Sequence, residues 1–470
     1  MIRRRRIGRV LSVCVAAVLL AAVVSALELP VTSGGGSRIR LRAGSQPGAA
    51  PPRLPEAVAA AGPVVAGAAP APRTSVVRGP PPNPQPLPPP VTLPGPPPLS
   101  ATCPGPGWQF VNSGAEAPPG SGWTWLNAVA VTSRSDAWAV GGRGGSMNRT
   151  LIDHWNGRTW SVASSPDPAS AQELLAVAGS GADDVWAVGY QSAYGGPDQP
   201  LIEHWNGSSW TVVASPAVPP QTRMDGVAAI SADDAWAVGE QEGGTASSGP
   251  PASPSSPGSG AGSGGAGSPP AGPLAEHWNG SAWTVVPIPD EGGSPNALAA
   301  VGAAGPDDVW AVGSSNNGSS GLAEHWNGSS WTAVPIDPGP LSGISVLSAS
   351  DAWAVGGGHI EHWNGSSWSP SPTPPPPGGQ YVLSGISAVS ATDAWAVGES
   401  VGSAGNNTLA EHWNGLAWAV VPSPSPDHDD LLHSVALSGD GIGWAVGVAG
   451  WVPGATEPAP GALTEERCAG

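Results

Sequence analysis

Histidine and aspartate recur in this chain in a pattern that could do chemistry. Six histidines stand immediately before the tripeptide Trp-Asn-Gly, and six aspartates open segments of the form D-x-W-A-V-G. A set of imidazoles could bind a metal ion, and an aspartate beside a histidine is a common acid–base arrangement. The six histidines are His154, His204, His277, His325, His362 and His412. Whether these groups meet depends on the elements that carry them.

The repeating unit is clearest in residues 184–213. Asp184 opens a segment in which large and small residues alternate with a period of two, which predicts a strand. Asn206-Gly207 separates two further apolar runs and predicts a two-residue hairpin loop, because both residue types accept positive φ. The upstream run 174–178, LLAVA, adds a fourth strand. Four strands per unit, joined by turns, predict one blade of a β-propeller.

The number of units predicts the architecture. Counting strands from LLAVA, the second strand carries a repeated tryptophan seven times, whereas the H-W-N-G hairpin occurs six times. The missing pieces lie at the two ends, since residues 463–468 align with 201–206 and residues 108–111 resemble 210–213. We therefore predict an all-β fold, a seven-bladed β-propeller of four-stranded antiparallel blades. Its last blade takes its outer strand from the N-terminal end, which closes the ring.

Two cysteines fall where the hairpin turn of the last blade would lie. This position predicts a Cys103–Cys468 disulfide in place of the Asn-Gly turn. The bridge would close a loop of more than 300 residues, for which chain entropy predicts a stabilisation of about 4–5 kcal/mol. The alternative is two unrelated cysteines near the ends of the chain.

The segments before the propeller predict export. Residues 1–27 combine five arginines with a largely apolar run, which predicts either a signal peptide or a membrane anchor. Residues 28–102 are rich in Pro, Ala and Gly and predict a disordered stalk, or else an unselected linker. The propeller then spans 103–470, with a disordered Gly/Ser/Pro insertion at 243–273. We expect a protein that is secreted, or anchored to the outer side of the cytoplasmic membrane.

Charge excludes one class of partner. Residues 103–470 contain 33 acidic residues against six arginines, a formal charge of −27, and the whole chain has no lysine. Such a surface repels nucleic acid and anionic lipid headgroups. It is compatible with neutral glycans, basic proteins and cations. The exclusive use of arginine, with abundant Ala, Gly and Pro, is typical of a GC-rich bacterial genome.

A ring of blades holds equivalent residues apart, so we assign the repeated Asp, His and Trp residues to turns and packing. We predict no catalytic residue, no metal site and no cofactor on that basis. The hairpins and the turns before each aspartate are nearly identical, and we call their side of the ring the uniform face. The opposite side carries the loops between strands two and three and the connections between blades. These segments differ from blade to blade, and we call that side the variable face.

Candidate ligand-binding residues lie on the variable face, where the repeats disagree. They are Trp123, Trp125, Trp451, Tyr190, Tyr194, Arg143 and Glu240. Aromatic side chains beside acidic and amide groups suit sugar rings or a protein surface. The alternative is that the three tryptophans fill the seam between the first and last blades.

The repeat resembles a known family of propeller proteins. D-x-W-A-V-G followed by H-W-N-G-x-x-W is similar to the repeats of exported bacterial β-propeller proteins of the kelch-like and Asp-box (BNR, sialidase-like) type. The Asp-box aspartate position is occupied here by Trp155, Trp205 and their equivalents, so the resemblance does not imply sialidase activity.

We therefore expect a monomeric, non-enzymatic binding or adhesion module at the bacterial cell surface, with a cell-wall polysaccharide or an extracellular protein as its partner. One alternative is a secreted glycan-active hydrolase or lyase, with Glu240 and Asp225 as acid and base. The other is an envelope-assembly scaffold that binds proteins.

Overall fold

The described residues form a ring of seven separate four-stranded antiparallel sheets, as the repeat predicts. The computed structural model describes residues 107–114, 123–144, 148–194, 196–241, 272–289, 296–315, 318–337, 339–374, 379–402, 405–425, 429–450 and 461–468. The predicted N-terminal segment, the predicted stalk and positions 243–271 of the predicted insertion lie outside these ranges. The described residues contain no helix long and apolar enough to cross a membrane.

Six blades are built from four consecutive strands each. Blade one contains β2 (Trp123–Ser133), β3 (Asp136–Gly144), β4 (Asn148–Trp155) and β5 (Trp160–Val162). Blade two contains β6 (Ala171–Gly181), β7 (Asp184–Ser192), β8 (Gln199–Trp205) and β9 (Trp210–Val212). Blade three contains β10 (Thr222–Ser231), β11 (Asp234–Gln241), β12 (Gly272–Trp278) and β13 (Trp283–Val285). Blade four contains β14 (Ala297–Gly305), β15 (Asp308–Ser315), β16 (Ser320–Trp326) and β17 (Trp331–Ala333).

The remaining blades include the one that closes the ring. Blade five contains β18 (Gly343–Ser348), β19 (Asp351–Gly356), β20 (His359–Trp363) and β21 (Trp368–Pro370). Blade six contains β22 (Gln380–Ser390), β23 (Asp393–Gly402), β24 (Gly405–Trp413) and β25 (Trp418–Val421). Blade seven contains β26 (Leu431–Leu437), β27 (Gly443–Ala449), β28 (Gly461–Cys468) and, as its outer strand, β1 (Gly107–Phe110).

The core lies between blades, and the alternation in strand two explains it. Trp138 and Val140 of blade one pack into a cluster with the inner strands of blade two. Ala137 and Ala139, on the other side of the same strand, pack against blade seven. Large side chains of one blade therefore meet small side chains of the next. This pairing keeps neighbouring sheets close enough to exclude water.

The glycine that ends each W-A-V-G segment lies against the backbone of the inner strand. In blade one, Gly141 pairs with Leu126, where the register of β2 against β3 shifts between Leu126 and Ala128. A Cβ atom on Gly141 would lie 2.1 Å from the carbonyl oxygen of Trp125. No residue with a side chain fits there without moving the backbone.

The ends of the chain pair as predicted. β1 runs antiparallel to β28, with Trp108 opposite Arg467 and Gly107 opposite Cys468. Cys103 lies outside the described residues, so the disulfide stays a prediction.

Candidate functional site

The six repeated histidines lie on the uniform face, each beside the aspartate of its own blade. Their Nε2 atoms lie between 2.6 Å (His154 to Asp136) and 3.0 Å (His362 to Asp351) from the aspartate Oδ1 atoms. The imidazole of His154 also stacks on Trp138, with ring centroids 4.0 Å apart. These contacts give the repeated residues the packing role that the sequence predicts. Among the described residues, no group of three or more His, Cys, Asp or Glu side chains could hold a metal ion.

The hairpin turns of the uniform face satisfy their own polar groups. In blade two, Asn206 Oδ1 accepts the backbone N–H groups of Ser208 and Ser209 at 3.0 and 3.1 Å. Trp205 Nε1 donates to the carbonyl of Ala182, in the turn between strands one and two. The other five hairpins repeat the asparagine contacts with the same geometry. The asparagine side chains of this face are therefore used within the turns themselves.

A second repeated acidic position was missed by the sequence analysis. Strand three of each blade carries a buried carboxyl group directly before the histidine position. The seven groups are Asp153, Glu203, Glu276, Glu324, Glu361, Glu411 and Glu465, each exposed by 1% or less. The sequence pattern that indicates this position is an acidic residue repeated directly before His-Trp within an otherwise apolar strand.

These carboxyl groups join neighbouring blades. Ser215, in the segment that leaves blade two, donates to Glu276 of blade three at 2.8 Å, and Ser423 likewise connects blade six to Glu465 at 2.7 Å. Burial raises the pKa of Glu276 to about 7 and that of Glu465 to about 8. Burial likewise raises the pKa of Glu411 to about 7. Their recurrence in every blade indicates a structural role.

On the variable face, two of the predicted ligand-binding residues converge on one buried carboxylate. Glu173, at the start of β6, accepts hydrogen bonds from Trp125 Nε1 at 2.8 Å and from the Tyr190 hydroxyl at 2.9 Å. Asn127 and Asn148 also donate to it, at 2.9 and 3.3 Å. Burial, followed by the Glu173 carboxylate, raises the pKa of Tyr190, so its hydroxyl remains a donor. Trp125, Asn127 and Asn148 of blade one thus bind Glu173 of blade two, and Tyr190 supports the same carboxylate from within blade two.

Blade three carries a neighbouring charged group. The Arg223 guanidinium lies 3.2 Å from Asp225 Oδ1 and 3.0 Å from Glu240 Oε1. Asp225 is 8% exposed, and burial raises its pKa against the opposing effect of Arg223. The structure therefore brings together the two carboxyl groups considered for acid–base chemistry, with an arginine bound to both.

The other candidate residues differ in exposure. Tyr194 follows β7 on the variable face and is 86% exposed. Arg143, near the end of β3, is exposed, and Trp123, at the start of β2, is half-buried. Trp451 lies outside the described residues. Of the predicted set that the structure describes, Tyr194 and Arg143 are thus the most accessible.

Comparison with known proteins does not assign a family, since no protein-family model and no curated protein matches the sequence. Similar solved structures include YCF48 from Cyanidioschyzon merolae, with 14% identity, coverage of 77% of this chain and 98% of that chain, and a TM-score of 0.46. The RRP9 WD40 repeats show 13% identity, coverage of 77% and 98%, and a TM-score of 0.48. The GH74 xyloglucanase from Xanthomonas campestris shows 14% identity, coverage of 76% and 55%, and a TM-score of 0.45. These similarities do not bear on ligand or activity. The class that the chain's own sheets define is a seven-bladed β-propeller.

Proposed function

We propose that this protein is an exported, non-enzymatic binding module of the bacterial cell surface. Its ligand, a cell-wall polysaccharide or an extracellular protein, binds the variable face. Export rests on residues 1–27, and the kelch-like and Asp-box resemblance rests on the repeat motifs alone. The observation that carries the proposal is the exposure of Tyr194, an aromatic side chain that breaks the repeat on this face and is 86% exposed.

The contrast between the two faces supports this assignment. The repeated polar groups of the uniform face bind one another, as the His204–Asp184 contact at 2.7 Å and the turn contacts of Asn206 illustrate. The variable face places an exposed aromatic and an exposed arginine in loops and strand ends that differ between blades, whereas the exposed Arg158 of the uniform face lies in a hairpin turn that repeats. Exposed tyrosine and arginine side chains are enriched among the residues that carry binding energy at interfaces.

The rival reading as a glycan-active hydrolase or lyase is favoured by one observation. Asp225 is a buried acid with a raised pKa that shares a site with Glu240. However, Arg223 pairs with both carboxyl groups, where a glycosidase needs room for a sugar or a water molecule. We therefore rank binding above hydrolysis. If the protein released reducing ends from a polysaccharide and Asp225→Asn lost this activity, hydrolysis would rank above binding. In the alternative of an envelope-assembly scaffold, the same face binds a protein partner.

The test compares two exposed side chains on opposite faces. Full-length protein, Tyr194→Ala and Leu416→Ala are assayed for binding to a panel of cell-wall polysaccharides and to extracellular proteins of the same cells. Leu416 is the matched control, because it is 88% exposed and lies in a hairpin turn of the uniform face. We expect Tyr194→Ala to weaken binding about tenfold or more and Leu416→Ala to leave it unchanged. Equal binding by all three proteins, or loss in the leucine variant alone, would show that the ligand does not use this face.

A further inference from the structure

We propose that the ligand of the variable face is an acidic polysaccharide, and that Arg143 and Arg149 bind its carboxylate or phosphate groups. This inference rests on the proposed function, because it names the chemistry of the ligand for the same face.

Arg143 and Arg149 stand directly opposite each other in the antiparallel ladder of β3 and β4. Opposed residues project from the same side of a sheet, with Cβ atoms roughly 4.5–5.5 Å apart, and like charges in that position destabilise the pair. An anion between the two guanidinium groups would replace the repulsion with charge-assisted hydrogen bonds. The pair is therefore arranged to bind an anion.

Neighbouring acids neutralise the pair only in part. Arg149 Nη1 lies 3.7 Å from Asp167 Oδ2, and the Arg149 side chain is 48% exposed. Asp167 is itself bound by Gln172 Nε2 at 2.6 Å and by the Thr150 hydroxyl at 3.2 Å. In the described part of the chain, no carboxylate forms an ion pair with the exposed Arg143. The guanidinium group of Arg143 thus remains available to bind an anion.

The corresponding positions of other blades show that the fold does not need charge here. The cross-strand pair is Gln191 with Gln199 in blade two, Ser315 with Ser320 in blade four and Ser400 with Asn407 in blade six. The same ladder therefore forms with uncharged polar side chains. The strand pairing itself therefore does not require two arginines in blade one.

The other arginines of the propeller have different surroundings. Arg134 pairs with Asp440 on the uniform face, Arg223 with Asp225, and Arg467 lies over Trp395. Arg158 is exposed in the hairpin turn after β4, on the uniform face. It is a matched control, since it belongs to the same blade and its replacement changes the net charge equally.

The chemistry of the partner follows from the geometry of the guanidinium groups and from the charge of the domain. A guanidinium group binds carboxylate and phosphate in bidentate geometry. A formal charge of −27 over residues 103–470 repels any polyanion, so the partner must bring few of its charges close to the acidic surface at once. A compact acidic protein cannot do so. An extended polysaccharide can present one anionic group to the pair and keep its other charges beyond the screening length of about 8–10 Å, while its sugar rings contact Tyr194 on the same face. We therefore assign the anion to a glycan.

The experiment measures binding of full-length protein to three probes: polygalacturonate as the carboxylate polymer, poly(glycerol phosphate) as the phosphate polymer and dextran as a neutral polymer. Arg143→Gln, Arg149→Gln and Arg158→Gln are compared, with thermal unfolding as a check that each variant folds. We expect an anionic probe to bind more tightly than dextran. Arg143→Gln and Arg149→Gln should each weaken that binding by about tenfold or more, with Arg158→Gln unchanged. Preference for polygalacturonate or for poly(glycerol phosphate) distinguishes the two sources of the anion.

Three results would overturn the inference. Equal losses in all three variants would indicate general charge attraction, and tighter binding of dextran than of either anionic probe would exclude an anionic ligand. If Arg143→Gln and Arg149→Gln both bind an anionic probe as tightly as wild type, the arginine pair is not the binding site. The proposed function would be unaffected by that result. The proposed function fails separately, if full-length protein binds neither the wider polysaccharide panel nor an extracellular protein.

Discussion

Arg467 lies over the indole of Trp395, with its guanidinium carbon 4.7 Å from the ring centroid. In blade two the corresponding contact is made by a tryptophan, since Trp205 packs on Trp138 of the preceding blade with centroids 4.8 Å apart. The closing blade thus replaces an indole by a guanidinium group and keeps the contact between blades. Trp108, from the other end of the chain, packs edge-on against the same Trp395 ring at 5.5 Å.

This closure predicts that the contact, more than the charge, stabilises the ring. Arg467→Ala should lower the free energy of unfolding by about 1–2 kcal/mol, because it removes the cation–π contact and the packing of the side chain. Arg467→Trp should largely retain the stability, since it restores the residue of the repeat. Thermal and denaturant unfolding measure the difference, with Arg158→Ala as the control. Equal stability of Arg467→Ala and wild type would contradict the role of this contact.

The disulfide predicted at the closure can be tested directly. We expect Cys103 and Cys468 of the exported protein to be unreactive towards thiol reagents until reduced. Reduction, or Cys103→Ser, should lower the free energy of unfolding by about 4–5 kcal/mol, the chain-entropy value for so long a loop. Peptide mapping under non-reducing conditions identifies the linked pair. Two free thiols at these positions in native protein would disprove the bridge.

The buried carboxyl groups predict an acid-stabilised fold. The pKa of Glu411 rises from 4.5 to about 7 in the folded state because the group is buried. The folded state therefore binds more protons than the unfolded state between these values, and stability is lost as the pH rises through this window. The same sign holds for Glu276 and Glu465, with pKa values of about 7 and 8. Unfolding free energies should fall from pH 5 to pH 8.

Glu411→Gln isolates one such group. The amide keeps the shape but cannot ionise, so the variant should exceed wild type by about 1–3 kcal/mol at pH 8. The advantage should vanish near pH 4.5. Asp183→Asn, at an exposed turn residue of the uniform face, is the control for the loss of one carboxyl group. A Glu411→Gln variant less stable than wild type at pH 8 would show that the buried carboxylate is stabilising.

The hydrogen bonds to Glu173 predict that Tyr190 stabilises the contact between blades one and two indirectly, by holding the Glu173 carboxylate from within blade two. Tyr190→Phe removes one of four side-chain donors from a buried carboxylate and should lower the free energy of unfolding by about 1–2 kcal/mol. Tyr194→Phe also removes one hydroxyl oxygen, but from an exposed side chain, so it should leave stability unchanged. Denaturant unfolding distinguishes the two. Equal stability of both variants would place Tyr190 outside the structural network.

The blade count and the closure could be predicted from sequence because their signals are local. The large–small alternation around Trp186 and the turn at Asn206-Gly207 depend on strand period and backbone preference, which repeat wherever the unit repeats. The shortage of one hairpin, with Trp108 and Arg467 at the ends, then indicates how the ring closes. These features decide the class of fold before any contact is known.

Only the tertiary structure decided which variable-face side chains are accessible. Tyr190 and Tyr194 are four positions apart, yet one donates to the buried Glu173 and the other is 86% exposed. Likewise, Asp225 and Glu240 meet through Arg223. These partnerships depend on distances between strands and between blades, which no local pattern encodes. The sequence by itself determined the ring, and packing between blades determined which side chains are free to bind a ligand.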